Sequence, residues 1–262
     1  MNKIEKIDRA TKASWDENWH CVSMDRVMEI LDYPRVREQV GYFLRYIKIN
    51  DLILEGGCGL APYVIHFADR GYNIVGLDYN VSCLRKAREH SRVRLLAANV
   101  DRLPFKDESF DCYLSLGVIE HFANGPDDAI REAYRVLKPG GFFLCQVPAR
   151  NIYRFFDMPL RFFKRNGLIR TMLGKPKKNY YWEQYFGIKK LTRMLEGAGF
   201  STKEIIRFSY SHALISSFPF LRKKGSYDAA SDTAIRIAAV LKIILPAMTA
   251  GENLFVVQKR TN

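Results

Sequence analysis

No stretch of this 262-residue sequence is apolar for long enough to span a bilayer. The most apolar segment, residues 234–250, is interrupted by Arg236, Lys242 and Pro246. The five cysteines form neither a C-x-x-C pair nor a zinc-type Cys/His spacing, which indicates neither a disulfide framework nor a metal cluster. The first residues contain no apolar signal region. We therefore expect a cytoplasmic protein without a bound metal ion.

The first glycine-rich turn lacks the third glycine of a dinucleotide site. An apolar run leads into Glu55 and the glycines at 57 and 59, and the next apolar run ends at Asp78. This order of strand, turn, helix and strand is typical of a nucleoside-binding Rossmann-like half. Pro62 stands where the third glycine would be, and the carboxylate of Glu55 would repel a pyrophosphate. A ligand with a ribose, an ammonium group and no phosphate fits better, and S-adenosylmethionine has these properties.

Three segments resemble the class I S-adenosylmethionine-dependent methyltransferases, and within them the small-molecule group called type 11. Residues 55–61 resemble the family's E/D-x-G-x-G-x-G loop, with alanine at the last position. Residues 98–105 resemble its G-D-A-x-x-L-P-F segment. Residues 110–121 and 134–141 resemble its fourth strand, the following helix and its fifth strand. The resemblance covers residues 48–148, and its motifs occur in the family's order.

The resemblance implies how the cofactor's methionine and ribose would be held. Glu55 and the backbone of Gly57 and Gly59 would hold the methionine end. Asp78 would accept hydrogen bonds from the two ribose hydroxyls.

The resemblance also implies an adenine site. Tyr79 would lie on one face of the ring, and Asn99, at the position of a family aspartate, would accept from the adenine amino group. The backbone N–H of Val100 would meet a ring nitrogen. Leu116 would cover the methionine and adenine side.

His121 is the candidate catalytic residue. It follows the fourth predicted strand, where substrate and methyl group would meet, and a neutral imidazole there could accept a proton near pH 7. The alternative is that His121 only orients a loop or packs. Ubiquinone-pathway O-methyltransferases have the motif E-x-x-E-H here, which is associated with a divalent cation, but Gly117 replaces the first carboxylate, so no metal site is expected. Neither an N-P-P-Y/F motif nor a Pro-Cys nucleophile is present, which argues against methylation of an adenine amino group or of cytosine C5.

The positive charge is concentrated in one region. Residues 149–224 contain 17 Lys/Arg and 4 Asp/Glu, whereas the rest of the chain has 24 of each. The same region holds 15 of the 34 aromatic residues. Such a local surplus favours an anionic partner. The mixed basic and aromatic runs at 153–165 and 218–224 are typical of segments that lie at a membrane interface.

The function predicted from these features is methyl transfer to a small or lipid-linked anionic acceptor, by a protein that is cytoplasmic or peripheral at the membrane. Three alternatives remain. The basic and aromatic residues could bind RNA, or form a lid over a soluble small molecule. The chain could also be a cofactor-binding partner without catalysis.

The alternation of apolar runs and helical patterns predicts an α/β fold with a Rossmann-like, mostly parallel seven-stranded sheet and helices on both faces. The predicted strands are 51–56, 73–78, 93–98, 111–116, 141–147, 200–208 and 253–259, and the last is expected beside 200–208 as the antiparallel strand. The predicted helices are 62–70, 80–90, 126–138, 188–197 and 231–245. We expect an N-terminal helical cover at 1–48, a cofactor-binding core at 49–148, a basic-aromatic insertion forming a substrate lid at 149–186, a core helix and strand at 187–208, a second insertion at 209–250 and the final strand at 251–262.

Overall fold

The sheet is the centre of the molecule. The computed structural model of the chain describes residues 3–20, 22–153, 183–224 and 229–261. Within them lies a seven-stranded sheet of order β3-β2-β1-β4-β5-β7-β6. Its strands are β1 (Leu52–Gly56), β2 (Asn73–Asp78), β3 (Arg94–Ala97), β4 (Phe110–Leu116), β5 (Leu137–Pro148), β6 (Phe200–Phe208) and β7 (Glu252–Lys259).

The last strand occupies the predicted place. β7 runs antiparallel to both β5 and β6, so it lies between two strands that point the same way. The other neighbouring pairs, from β3 across to β5, are parallel. The predicted mostly parallel sheet with one antiparallel strand is confirmed.

Helices cover both faces of the sheet. Neighbouring residues of one strand point to opposite faces; Leu54 belongs to the core on one side and Ile53 to the core on the other. Both cores are apolar because each strand of a doubly covered sheet is buried on two sides. The helices are α1 (Lys3–His20), α2 (Met24–Glu29), α3 (Pro34–Phe43), α4 (Pro62–Ala68), α5 (Val81–His90), α6 (Asp127–Val136), α7 (Ile188–Gly197), α8 (Tyr210–Ser217), α9 (Asp232–Ile244) and α10 (Pro246–Thr249).

The largest difference from the predicted boundaries lies between α6 and β5. The helix predicted to reach residue 138 ends at Val136, and β5 begins at Leu137 instead of 141. Leu137 already pairs with Phe110, and the register then shifts before Cys112. The Lys138 ammonium lies 2.8 Å from both carboxylate oxygens of Asp111 on the neighbouring strand. The turn sequence therefore forms an irregular strand start, held by an ion pair, and not a loop.

The segment predicted as a second insertion is helical. It contains α8, which was not predicted, as well as α9 at the predicted place. Most of the basic run 153–165 and most of the predicted lid lie outside the described residues. None of the described helices has the length and hydropathy that crossing a membrane requires. The domain boundaries stay predictions.

Candidate functional site

A crevice forms where the chain changes direction across the sheet. From β1 the chain moves outward through β2 to β3, and it then returns to place β4 on the other side of β1. Ligands of open α/β sheets bind at the carboxyl ends of strands at such a point. The glycine-rich loop after β1 is located here. It bends over the end of β2, because the N–H groups of Gly57 and Cys58 both donate to the carbonyl of Leu77, at 2.7 and 3.0 Å.

Gly57 and Gly59 have backbone conformations that favour glycine. Their φ angles are +75° and +54°, in the region that residues with a Cβ rarely adopt. A Cβ on Gly57 would also lie 2.5 Å from the Val118 side chain. The loop can therefore bring its backbone close to a ligand, as the sequence motif predicts.

Glu55 is a buried carboxyl at the end of β1 with one oxygen unused. Its side chain is 3% exposed, and its Oε2 has no hydrogen-bond partner among the described residues. Burial, and then the nearby charge of Asp78, raise the pKa of Glu55 to about 8, while a backbone hydrogen bond from Val64 acts in the opposite direction. An ammonium group would supply both the missing donor and the missing charge. The residue thus fits the amino-acid end of S-adenosylmethionine.

Asp78 lies at the carboxyl end of β2, directly beside the loop. One carboxylate oxygen accepts from the N–H of Gly59 and the other from the N–H of Asn80, both at 2.8 Å. Burial raises the pKa of Asp78, and those backbone hydrogen bonds oppose the shift. Each oxygen keeps a further lone pair. The carboxylate is therefore held rigidly and can still accept from a pair of ribose hydroxyls.

The predicted adenine residues follow β2 and β3, which are adjacent. The Tyr79 hydroxyl is buried without a hydrogen-bond partner in the described part of the chain, and burial raises its pKa. The N–H of Ala98 donates to the carbonyl of Asp78 at 3.0 Å and ties the β3 loop to the end of β2. In that loop Asn99 is exposed, whereas Val100 is buried in the core. These residues share one end of the crevice.

The residues after β4 form the opposite end of the crevice. Leu116 is half-buried, and the N–H of Gly117 donates to the carbonyl of Gln146 on β5 at 3.1 Å. A single 3-10 turn, Ile119–His121, follows. Because Val118 packs directly on Gly57, this turn and its half-buried His121 lie next to the glycine-rich loop. His121 is therefore placed on the side of the crevice where methyl transfer was predicted.

Helix α1 lies over the glycine-rich loop. The ring of Trp19 contacts Gly59, where a Cβ would be 2.8 Å from the indole. Trp15 stacks on Trp19 with ring centroids 5.5 Å apart and meets the ring of His121 edge-on at 5.2 Å. Asn80, which caps α5, donates from its side chain to Asp16. The sequence analysis assigned none of these α1 side chains to the site, although two tryptophans four residues apart on a helix are a signal for a shared face.

A buried polar network also lies near the end of β5 and was not predicted. The Tyr63 hydroxyl donates to Gln39 Oε1 at 2.7 Å, and Gln39 in turn donates to Gln146 Oε1. Gln146 is the residue whose carbonyl receives the N–H of Gly117. Three polar side chains from α3, α4 and β5 therefore meet beside the crevice.

The part of the chain that the structure describes contains no group of three or more His, Cys, Asp or Glu side chains placed to hold a metal ion. Glu120, the neighbour of His121, is buried. Cys83, Cys112 and Cys145 are buried free thiols.

Comparisons with known proteins show which family this chain resembles. Residues 54–145, which include the loop, Asp78 and His121, match the family described as "Methyltransferase domain". The chain is 29% identical over 250 residues to the demethylmenaquinone methyltransferase of Listeria welshimeri, covering 85% of this chain and 97% of that protein.

Solved structures show the same fold. A methyltransferase from Methanosarcina mazei aligns with a TM-score of 0.60 and 18% identity over 84% of this chain and 98% of its own. The 1,6-didemethyltoxoflavin N1-methyltransferase of Burkholderia thailandensis, with its substrate and S-adenosylhomocysteine bound, aligns with a TM-score of 0.60 and 14% identity over 100% of this chain and 92% of its own. The predicted family, fold and cofactor are confirmed, and the chain belongs to the class I S-adenosylmethionine-dependent methyltransferases.

Proposed function

We propose that this enzyme methylates a small, lipid-linked acceptor of the quinone type, with His121 as general base. The observation that carries the proposal is the match to demethylmenaquinone methyltransferases, which extends over 97% of the relative from Listeria welshimeri. A demethylmenaquinone has a hydroquinone form with ionisable hydroxyls and a long isoprenoid chain. Such an acceptor would require a base for its hydroxyl and an apolar surface for its isoprenoid chain.

When bound, S-adenosylmethionine would supply a methyl group that is already activated on a sulfonium, with S-adenosylhomocysteine as the leaving group. The protein's part is to orient the acceptor and to exclude water, and orientation alone accounts for ~7–11 kcal/mol of a barrier. The imidazole of His121 takes the proton of the acceptor hydroxyl, which makes the acceptor electron-rich.

The geometry of the crevice supports the cofactor contacts that we propose. Glu55 holds the ammonium group, since its buried Oε2 lacks a partner among the described residues. Asp78 holds the ribose hydroxyls with a carboxylate oriented by two backbone donors. The remaining contacts that we propose are backbone approach at Gly57 and Gly59, adenine recognition by Tyr79, Asn99 and Val100, and cover from Leu116.

Label transfer from methyl-labelled cofactor tests the acceptor class. The purified enzyme is incubated with a demethylnaphthoquinol that carries a short isoprenoid chain, and the mixture is partitioned between water and an organic solvent. We expect label in the organic phase, with formation of S-adenosylhomocysteine in equal amount. If no label enters this acceptor, and labelled product from a cell extract stays in water, the lipid-linked class is wrong. Nuclease sensitivity of that aqueous product would then identify RNA as the acceptor.

A further inference from the structure

Helix α9 exposes an unusual amount of apolar surface. It buries Ala234 and Ala238 against the rest of the chain, while Leu241 is half-buried. Its larger aliphatic side chains point away: Ile243 is 82% exposed and Ile244 is 64% exposed. The other exposed apolar residues of α9 and of the residues that follow it are Ile235, Ile237, Val240, Leu245 and Met248. A helix that is apolar on nearly every side is normally buried on nearly every side.

A further exposed apolar side chain lies in the same part of the molecule, outside α9. The turn Pro219–Leu221 precedes α9, and its Phe220 is 81% exposed. Phe218 and Leu221, on either side of it, pack with α8 and α9 in one small cluster. We call the unit formed by α8, this turn, α9 and α10 the apolar cap. Its inner side is packed, and its outer side is apolar and is not covered by the described residues of the chain.

The charges beside this surface are mostly positive. In the described residues from 210 to 249, which span the apolar cap and its connecting segments, the basic side chains are Arg222, Lys223, Lys224, Arg236 and Lys242, and the one acidic side chain is Asp232. Arg236, Val240 and Ile243 follow one another at spacings of four and three, so cation and apolar groups share one helix face. Lys242 lies over the ring of Tyr210, with Nζ 5.4 Å from its centroid.

The apolar cap lies at the active-site edge of the sheet. β6 runs in the same direction as β5, because both are antiparallel to β7. α8 follows the carboxyl end of β6, and Tyr210, Ala238 and Ala250 pack with Ala149, the residue directly after β5. The carboxyl ends of β1 and β4, where the cofactor residues lie, belong to that edge. An acceptor that arrives along the apolar cap would therefore reach the side of the sheet at which His121 stands.

We propose that the outer face of α9 docks on an anionic lipid bilayer, with its aliphatic side chains in the headgroup region and its cations on the lipid phosphates. Apolar surface combined with Lys and Arg is what binds helices to anionic interfaces. A second copy of this chain fits less well, because a two-fold contact through the same face would bury Arg236 of both copies in one apolar interface. The inference deepens the proposed function and rests on it only for the lipid nature of the acceptor.

Sedimentation with vesicles tests this docking without any acceptor. The full chain is mixed with vesicles of phosphatidylcholine and phosphatidylglycerol, and separately with phosphatidylcholine alone. We expect binding to the anionic vesicles, and a decrease of about tenfold or more in the double variant Ile243→Ser and Ile244→Ser, because two insertion contacts are lost. The variant Arg236→Gln and Lys242→Gln should bind anionic vesicles about tenfold or more weakly, since each cation contributes to the attraction.

The matched control is Leu44→Ser with Ile49→Ser. These side chains are also exposed, at 46% and 50%, but they precede β1 and so lie toward the opposite edge of the sheet. The control should bind vesicles as the unchanged protein does, and retained affinity for S-adenosylhomocysteine shows that each variant is folded. Equal binding by the Ile243/Ile244 variant, or no binding by the unchanged protein, would overturn the proposal. A dimer in solution that this variant dissociates would assign the face to a second copy instead.

Vesicle binding and turnover separate the two proposals. If the chain binds anionic vesicles through α9 but does not methylate the quinol, only the acceptor assignment fails. If it methylates a short-chain quinol in solution and ignores vesicles, only the docking surface fails.

Discussion

Helices α6 and α9 divide polar and apolar side chains in opposite ways. α6 turns Ala129, Ile130, Ala133 and Val136 into the core beneath the sheet. Its outer side carries ion pairs, among them Arg135 with Glu132 at 2.7 Å. α9 buries small alanines and leaves its isoleucines in the open.

The difference shows which surfaces of the molecule the fold itself satisfies. The apolar side of α6 is buried in the core, and its charged side faces water. α9 uses little of its apolar surface for packing within the chain, so the exposed apolar surface that remains is available to bind a partner. The apolar residues of α6 are covered by the core, whereas the apolar cap has a surface that the described residues do not cover.

The largest effect is expected for the loss of the proposed base, His121. The change His121→Gln removes a base but keeps a polar side chain of similar size, and it should lower kcat by ~10²–10⁴-fold. Affinity for S-adenosylhomocysteine should stay unchanged, as measured by calorimetry. An unchanged kcat would show that His121 packs against its neighbours and does not act as a base. The Ile243/Ile244 variant, measured with a short-chain acceptor in solution, provides the contrast because it should keep its kcat.

Glu55 should make the cofactor-binding half sensitive to pH. Its pKa is raised to about 8 in the folded chain from about 4.5, so the folded state binds the proton more tightly. The resulting stabilisation is complete below pH 4.5 and is lost as the pH rises to about 8. Relative to Glu55→Gln, the cofactor-free protein should lose roughly 3–5 kcal/mol of unfolding free energy over that range.

Urea unfolding across this pH range measures the difference between the two proteins. A constant difference would show that Glu55 is ionised in the folded, cofactor-free chain. As a second readout, cofactor binding near neutral pH should release a proton from the unchanged protein, because the ammonium favours the carboxylate, but none from Glu55→Gln.

The comparison of the two helices can be tested through stability. Ile130→Ala should lower the unfolding free energy by about 2–5 kcal/mol, because it leaves a cavity in the core. Ile243→Ala should change it by less than about 0.5 kcal/mol, because the side chain is exposed. Chemical denaturation of both variants in the absence of lipid measures these values. A large loss for Ile243→Ala would mean that α9 is covered within the chain, and the docking surface would lose its basis.

The smallest effect is expected for Asp78→Asn. The amide keeps an acceptor oxygen for only one of the two N–H groups, of Gly59 and Asn80, that donate to Asp78, and it loses the charge, so cofactor affinity should fall about 10–100-fold. Calorimetry with S-adenosylhomocysteine measures the change, and Asp107→Asn, at a carboxylate that pairs with Arg135 outside the crevice, is the matched control. Equal affinities for the two variants would remove the ribose assignment.

Much of the cofactor site could be predicted because its contacts are local. Glu55, Gly57 and Gly59 come from one loop, and Asp78 ends the next strand, so parallel pairing of β1 and β2 brings them together. Trp19 lies 40 residues before Gly59, and its contact depends on how α1 docks on the finished sheet. The network of Gln39, Tyr63 and Gln146 was missed for the same reason.

The amino-acid sequence determined the order of strands and helices, the family and the chemistry of the cofactor, because periodicity and short motifs are local properties. It also indicated a partner of negative charge through the basic region. Only the tertiary structure decided that Trp19 of the predicted N-terminal cover contacts Gly59 and that the apolar residues of α9 stay exposed. From the sequence, the apolar residues Ile243 and Ile244 are expected to be buried in the core. Whether they are buried depends on which other elements of the fold pack against them.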